Sequence, residues 1–174
     1  MAETDVLKEK RILIVDDEPD ILETLEEILD MCLVDKAPDF EAARKFLEKN
    51  TYDAVVLDIM GVRGYDLLEL ANEKGVPALM LTAHALSPEN LVRSIKGGAR
   101  SYIPKDKISD VAEYLADVIR TAERGERDQA RWLTKLKPFF DKKFGPNWQD
   151  QDRTFWDAFE KKYRPDREEL GKML

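Results

Sequence analysis

One cysteine and one histidine are all that this chain carries of the two residue types that most often hold transition metals. Cys32 has no partner for an internal disulfide, and the two residues are too few for a Cys/His zinc site. Cys32 therefore reads as a small buried hydrophobe. Long apolar runs are missing as well. None approaches the roughly 20 residues of a membrane-spanning helix, and the opening MAETDVLKEKR is charged where a signal peptide would be apolar, so a cytoplasmic protein is expected. Nor is there a concentration of positive charge. Residues 1–120 hold 15 Lys/Arg against 25 Asp/Glu, and residues 121–174 hold 13 against 11. An acidic front and a near-neutral tail lack the basic patch that phosphate contacts require, so DNA is not an expected partner.

What is present is the composition of a globular protein: 43% hydrophobic and 37% charged residues over 174 positions, enough for one well-buried core and a modest appendage. Short β-branched apolar runs alternate with longer segments of helical period, as in βα units on a parallel sheet. The first run, Arg11 to Val15, ends in Asp16-Asp17-Glu18, and Pro19 opens a helix bearing Ile21, Leu22, Leu25, Ile28 and Leu29. A weaker strand, 33–37, precedes a helix over 40–49. Ala54 to Leu57 ends in Asp58, and a Gly-bearing loop, Gly61 to Gly64, leads to a helix through Leu67, Leu68, Leu70 and Ala71. Ala78 to Leu81 ends in Thr82. Ser87-Pro88 opens a helix that Gly97-Gly98 closes, and Ser101 to Ile103 leads to Lys105 before a helix beginning near Ser109.

Five βα units result, with a polar or ionisable residue at the C-terminal end of four of the five strands. In an open parallel sheet that edge is where sites form. Asp16, Asp17 and Asp58 brought together would repel one another unless a positive charge sits among them. Oxygen ligands in an incomplete cage suit Mg2+, which keeps waters and takes further oxygens from a phosphate. Lys105 offers a point charge for phosphoryl oxygens, Thr82 a further hydrogen bond, and Asp58 a nucleophile. Taken singly, each has a plainer reading: Asp16 and Asp17 could cap the first helix, and Tyr102 could be an ordinary core tyrosine.

Together these residues resemble the receiver domain of bacterial response regulators. Ile-Val-Asp16-Asp17-Glu18-Pro19 is similar to the family's acidic pair, Val-Val-Leu-Asp58 to its phosphoacceptor strand, Leu-Thr82-Ala83 to its switch threonine, and Tyr102-Ile-Pro-Lys105 to its aromatic switch and lysine. The resemblance covers residues 10 to about 122 and implies a flavodoxin-like, doubly wound, five-stranded parallel α/β sheet. It implies that Asp17, Asp58 and the backbone carbonyl of Met60 ligate Mg2+ directly, with Asp16 acting through water. A sensor histidine kinase or phosphotransfer protein would donate a phosphoryl group to Asp58. Thr82 and Tyr102 would then shift inward and alter the face built from helix four, strand five and helix five. The chain would thus be a phosphoacceptor switch rather than an enzyme acting on outside substrates. Two departures from the family stand out. The loop from Asp58 to Gly64 is two residues shorter and lacks the Met-Pro pair, and Asp106 follows Lys105 where a proline in a cis peptide is common; a trans bond is expected there. His84 and Met60, two residues after Thr82 and Asp58, lie where the family tunes phosphoaspartate lifetime. An exposed side chain without a role is an equal reading for each.

The expected organisation is a leading segment 1–9, a receiver 10–122 and a helical extension 123–174. The extension shows no recognisable output-domain motif such as a helix-turn-helix. It carries nine aromatics, with Trp132, Leu136, Phe139 and Phe140 on one helical face, a break at Gly145-Pro146-Asn147, and Phe155, Trp156, Phe159 and Tyr163 on a second face. Two such short helices cannot build a core alone, so their stripes must pack on each other, on the receiver or on a partner. Homodimerisation or partner docking is the favoured use. A reduced DNA-binding output and an acid-rich phosphatase or phosphotransferase are the competing readings.

Overall fold

The computed structural model describes residues 3–124 and 131–163. Strands β1 (Arg11–Val15), β2 (Leu33–Ala37), β3 (Ala54–Leu57), β4 (Ala78–Thr82) and β5 (Ser101–Pro104) form one parallel sheet in the order β2-β1-β3-β4-β5. Between and after them run α1 (Pro19–Ile28), α2 (Phe40–Lys49), α3 (Gly64–Glu73), α4 (Pro88–Lys96) and α5 (Val111–Arg124). The expected doubly wound α/β fold is the observed one. Strands β3, β4 and β5 are buried along their whole length, because helices cover both faces, and their continuous apolar runs reflect that. The edge strand β2 is mostly accessible, and Leu33 projects 56% exposed.

Local chemistry sets the helix starts. Pro19 and Pro88 occupy first turns, Asp39 accepts a hydrogen bond from the Ala42 amide at 2.8 Å, and Ser87 accepts one from the Asn90 amide at 3.1 Å. Glu18, at the N-cap position of α1, makes no such cap. Its carboxylate is engaged elsewhere.

Residues 3–7 form a 3-10 turn whose Leu7 is fully buried, and Lys10 pairs with Glu123 at 2.7 Å, joining the start of the domain to the end of α5. The Cys32 thiol is half-buried and donates weakly to the Leu7 carbonyl; burial pushes it up to about 11. A 3-10 segment, Lys105–Asp110, precedes α5, so the α-helix begins two residues later than the sequence suggests. Among the described residues no peptide bond is cis, and the bond between Lys105 and Asp106 is trans as expected.

The extension forms α6 (Arg131–Phe144), a 3-10 turn (Trp148–Asp152) and α7 (Arg153–Tyr163). Residues 125–127 of the charged stretch expected to start it, and the side chain of Tyr163, lie outside the described residues. The two aromatic stripes meet through Trp148, which touches Phe140 on one side and Trp156 on the other, and both join the core of the sheet domain. Phe140 is fully buried, and Trp132, Trp148 and Trp156 are at most 5% exposed. Lys96 of α4 sits 5.5 Å from the ring of Phe155, Lys107 lies 5.6 Å from Phe139, and Lys135 lies 5.7 Å from Tyr114 of α5. Phe140 also meets Tyr102 of β5, so the extension crosses α5, β5 and α4 in turn.

Candidate functional site

Strand register brings the acids together. Val15 pairs with Leu57, so the next residues, Asp16 and Asp58, leave the sheet side by side. Leu57 pairs with Met80, and Thr82 with Pro104, which places Thr82 and Lys105 at the same edge. One carboxylate oxygen from each of Asp16, Asp17, Glu18 and Asp58 lies within 4.8 Å of the others. Asp16 and Asp58 are buried, at 1% and 4% exposure, whereas Asp17 faces solvent.

Lys105 reaches into this cluster with a side chain only 8% exposed. Its Nζ lies 2.8 Å from Asp16 Oδ2, 3.1 Å from Glu18 Oε1 and 3.3 Å from Asp58 Oδ2. Backbone amides hold the other oxygens: Glu18 N–H donates to Asp16 Oδ1 at 2.9 Å, and Ile59 N–H to Asp58 Oδ1 at 2.8 Å. Both buried carboxylates are thereby aimed with one oxygen anchored and one on the lysine.

The charge is nevertheless unbalanced. Burial, then the neighbouring Asp16 carboxylate, pushes Asp58 up to about 6 despite the pull of Lys105. Burial also raises Asp16, with Lys105 opposing it. For Lys105 itself, burial works against the ammonium, but the acids around it win and hold its pKa above the ordinary lysine range. Several carboxylates share one cation, which leaves room for a divalent ion. All the donors are hard oxygens, so the set fits Mg2+ or a similar cation rather than a soft metal.

Two glycines make the short loop after Asp58 possible. Gly61 adopts φ +84°, and a Cβ there would run into the Asp17 carboxylate. At Gly64 a Cβ would strike the backbone carbonyl of Asp58 and lie 2.6 Å from the Ile59 Cα. Arg63, between the two and at φ 56°, is held by Asp66 at 2.9 Å.

Thr82 is fully buried, and its Oγ1 accepts a hydrogen bond from the Ala85 amide at 3.2 Å. Tyr102 is fully buried too. Its hydroxyl donates to the Ala85 carbonyl at 2.7 Å and accepts from the Ser87 amide at 3.2 Å. Met60 exposes its side chain, and His84 is exposed with Nε2 3.8 Å from Glu18 Oε1.

Sequence reasoning did not assign Glu18, although its place beside two acids was a signal. Ala85 carried no signal at all, because only its backbone takes part.

The chain and its fold are similar to known proteins. The family model described as "Response regulator receiver domain" matches residues 12–116. The heme response regulator HssR of Staphylococcus aureus is 39% identical over 99 residues, which are 53% of this chain and 43% of HssR. The chain therefore spans less than half the length of that relative. Among solved structures, a CheY-like receiver domain protein from Methanospirillum hungatei is 30% identical with a TM-score of 0.62, covering 68% of this chain and all of the other. A response regulator described as putative from Chloroflexus aurantiacus is 28% identical with a TM-score of 0.59, covering 65% and 99%.

Proposed function

The chain belongs to the response regulator receiver family, and from that premise we propose that it is a phosphorylation-controlled switch in which Asp58 accepts the phosphoryl group. Response regulators are phosphorylated by histidine kinases, and a phosphohistidine on a sensor kinase or phosphotransfer protein is the natural donor here. In the transfer, an Asp58 oxygen bonds to phosphorus as the P–N bond breaks and the imidazole nitrogen keeps the electron pair. The observation that carries this reading is the near-buried Lys105 bridging Asp16 and Asp58 at 2.8 and 3.3 Å inside a four-carboxylate cluster.

Each residue has a part to play. Asp58 Oδ1 is fixed by the Ile59 amide, leaving Oδ2 directed at Lys105 and able to attack. The Lys105 ammonium neutralises phosphoryl oxygens, and the Thr82 hydroxyl donates to one of them. Asp17, Asp58 and the Met60 backbone carbonyl would hold Mg2+ directly, with Asp16 through water; the open shape of the cluster also admits Glu18. Bound there, the cation supplies charge neutralisation for the transferring group. The chain takes up one phosphoryl group rather than turning over an outside ester.

The signal then leaves by way of Thr82 and Tyr102, which respond to the new charge and bias the α4-β5-α5 face. In this reading residues 10–122 are the receiver and 123–174 the extension through which the state is reported, by partner docking or self-association. Intact mass after incubation with acetyl phosphate and Mg2+ tests the assignment. One phosphoryl group per chain is expected, absent in Asp58→Asn. An unchanged wild-type mass, where a known receiver gains phosphate in parallel, would overturn it.

A further inference from the structure

We propose that the extension α6–α7 is the resident ligand of the chain's own α4-β5-α5 face, and that its docking is tightened when the phosphoryl site at Asp58 is filled. The proposal rests on the phosphoacceptor reading of Asp58 and adds what occupies the switch face and how occupancy reaches it. A continuous set of contacts joins the two. Thr82 Oγ1 accepts from the Ala85 amide, the Ala85 carbonyl accepts from the Tyr102 hydroxyl, and the Tyr102 ring lies against Phe140 with centroids 6.2 Å apart.

Phe140 is the anchor of the extension. It has no exposed surface and touches Phe139, Phe144 and Trp148 at centroid separations of 5.9, 5.4 and 5.8 Å, and Trp148 passes the packing on to Trp156 at 5.3 Å. A Tyr102 ring turned out of its pocket toward α6 would occupy the space that Phe140 fills. The docked extension and the buried Tyr102 are therefore one state, and anything that favours one favours the other.

The direction of coupling follows from the hydrogen bonds. A hydroxyl that donates to an anionic phosphoryl oxygen becomes a better acceptor at its own oxygen, because bonds in a chain polarise one another. When Thr82 donates to a phosphoryl group, its grip on the Ala85 amide strengthens, which in turn fixes the carbonyl that holds Tyr102. At 3.2 Å the bond from Ala85 to Thr82 is at the long end of its range and has room to tighten.

All three tryptophans of the chain, Trp132, Trp148 and Trp156, lie in the extension and none in the receiver, so tryptophan emission reports on the extension. In the full chain, Mg2+ with beryllofluoride is expected to lower acrylamide quenching of that emission. It should also slow amide exchange across residues 131–163 severalfold, and Asp58→Asn should show neither effect. Tyr102→Phe keeps the ring but removes the hydroxyl, and is expected to leave the tryptophans buried while losing the response. By reciprocity, Phe140→Ala should weaken beryllofluoride binding, followed by 19F NMR, about fivefold or more. Amide protection in β1, β3 and β4 then serves as the check that the receiver is folded, and Phe140→Leu replaces the alanine variant if it is not. A wild-type protein that forms the fluoride adduct with unchanged quenching and exchange would overturn the coupling and leave the phosphoacceptor role intact. Increased quenching would overturn its direction, a full response in Tyr102→Phe would overturn the hydroxyl relay, and failure to form any adduct would bring down both proposals.

Discussion

Asp58 combines two demands that pull against each other. Burial and the adjacent Asp16 carboxylate push it up to about 6, yet the nucleophilic role proposed for it needs it ionised. Because its folded value lies above its unfolded one, the folded state binds more protons between about pH 4 and 6, and stability falls as pH rises through that window. Above it, the ionised Asp58 costs on the order of 3 kcal/mol, a shift of about two units. Asp58→Asn should accordingly raise the metal-free Tm at pH 7.5 by a few degrees, with the difference shrinking at pH 4.5 and on adding Mg2+; thermal melts followed by circular dichroism read this directly. Lys105→Ala has the opposite sign. It strips Asp16 and Asp58 of their shared cation and is expected to cost about 3 kcal/mol in urea unfolding at pH 7.5. At pH 5 the cost should be smaller, since the acids then take up protons instead.

The connections between elements carry as much of the site as the strands do. The turn from β3 to α3 is tight enough that Gly64 packs directly under the Asp58 carbonyl. Gly64→Ala must displace backbone rather than a side-chain tip, so a loss of about 1–3 kcal/mol is expected. The rate of phosphate uptake from acetyl phosphate, followed by mass, should fall with it because Asp58 moves. A wild-type rate would show that the loop is less constrained than the packing indicates. At the start of α4, Ser87 accepts from the Asn90 amide, while its own amide donates to Tyr102. Ser87→Ala removes the cap together with the bond that the Asn90 side-chain amide donates to the same oxygen, keeps the backbone donor to Tyr102, and should cost about 1 kcal/mol by chemical denaturation.

Across the whole molecule, receiver and extension share one hydrophobic cluster that runs from Leu7 through the sheet to Phe159. Trp132, Phe140, Trp148 and Trp156 belong to it as fully as Leu13 or Val56 do. A shared core predicts a shared transition. Tryptophan emission, confined to the extension, and far-ultraviolet circular dichroism, dominated by the receiver, should give the same urea midpoint. An extension that melted well before the receiver would mean that its packing on β5 is weak, and the coupling proposed above would have little to act through.

Most of the fold was legible without coordinates. The apolar runs of β1, β3 and β4 and the proline and serine starts of α1 and α4 are local signals, read within a few residues. The acids and the lysine at strand ends were legible for the same reason, since a parallel sheet sends the C-terminal ends of its strands to one edge. Three features depended on tertiary structure. Glu18 sits where a helix cap would be, and only the approach of Lys105 across the sheet draws its carboxylate into the cluster. Ala85 links Thr82 to Tyr102 through backbone atoms, which no residue type announces. The aromatic stripes of the extension announced that something must cover them, but periodicity describes one helix at a time and cannot say which surface does so. That choice was made by long-range packing, which set Phe140 on Tyr102.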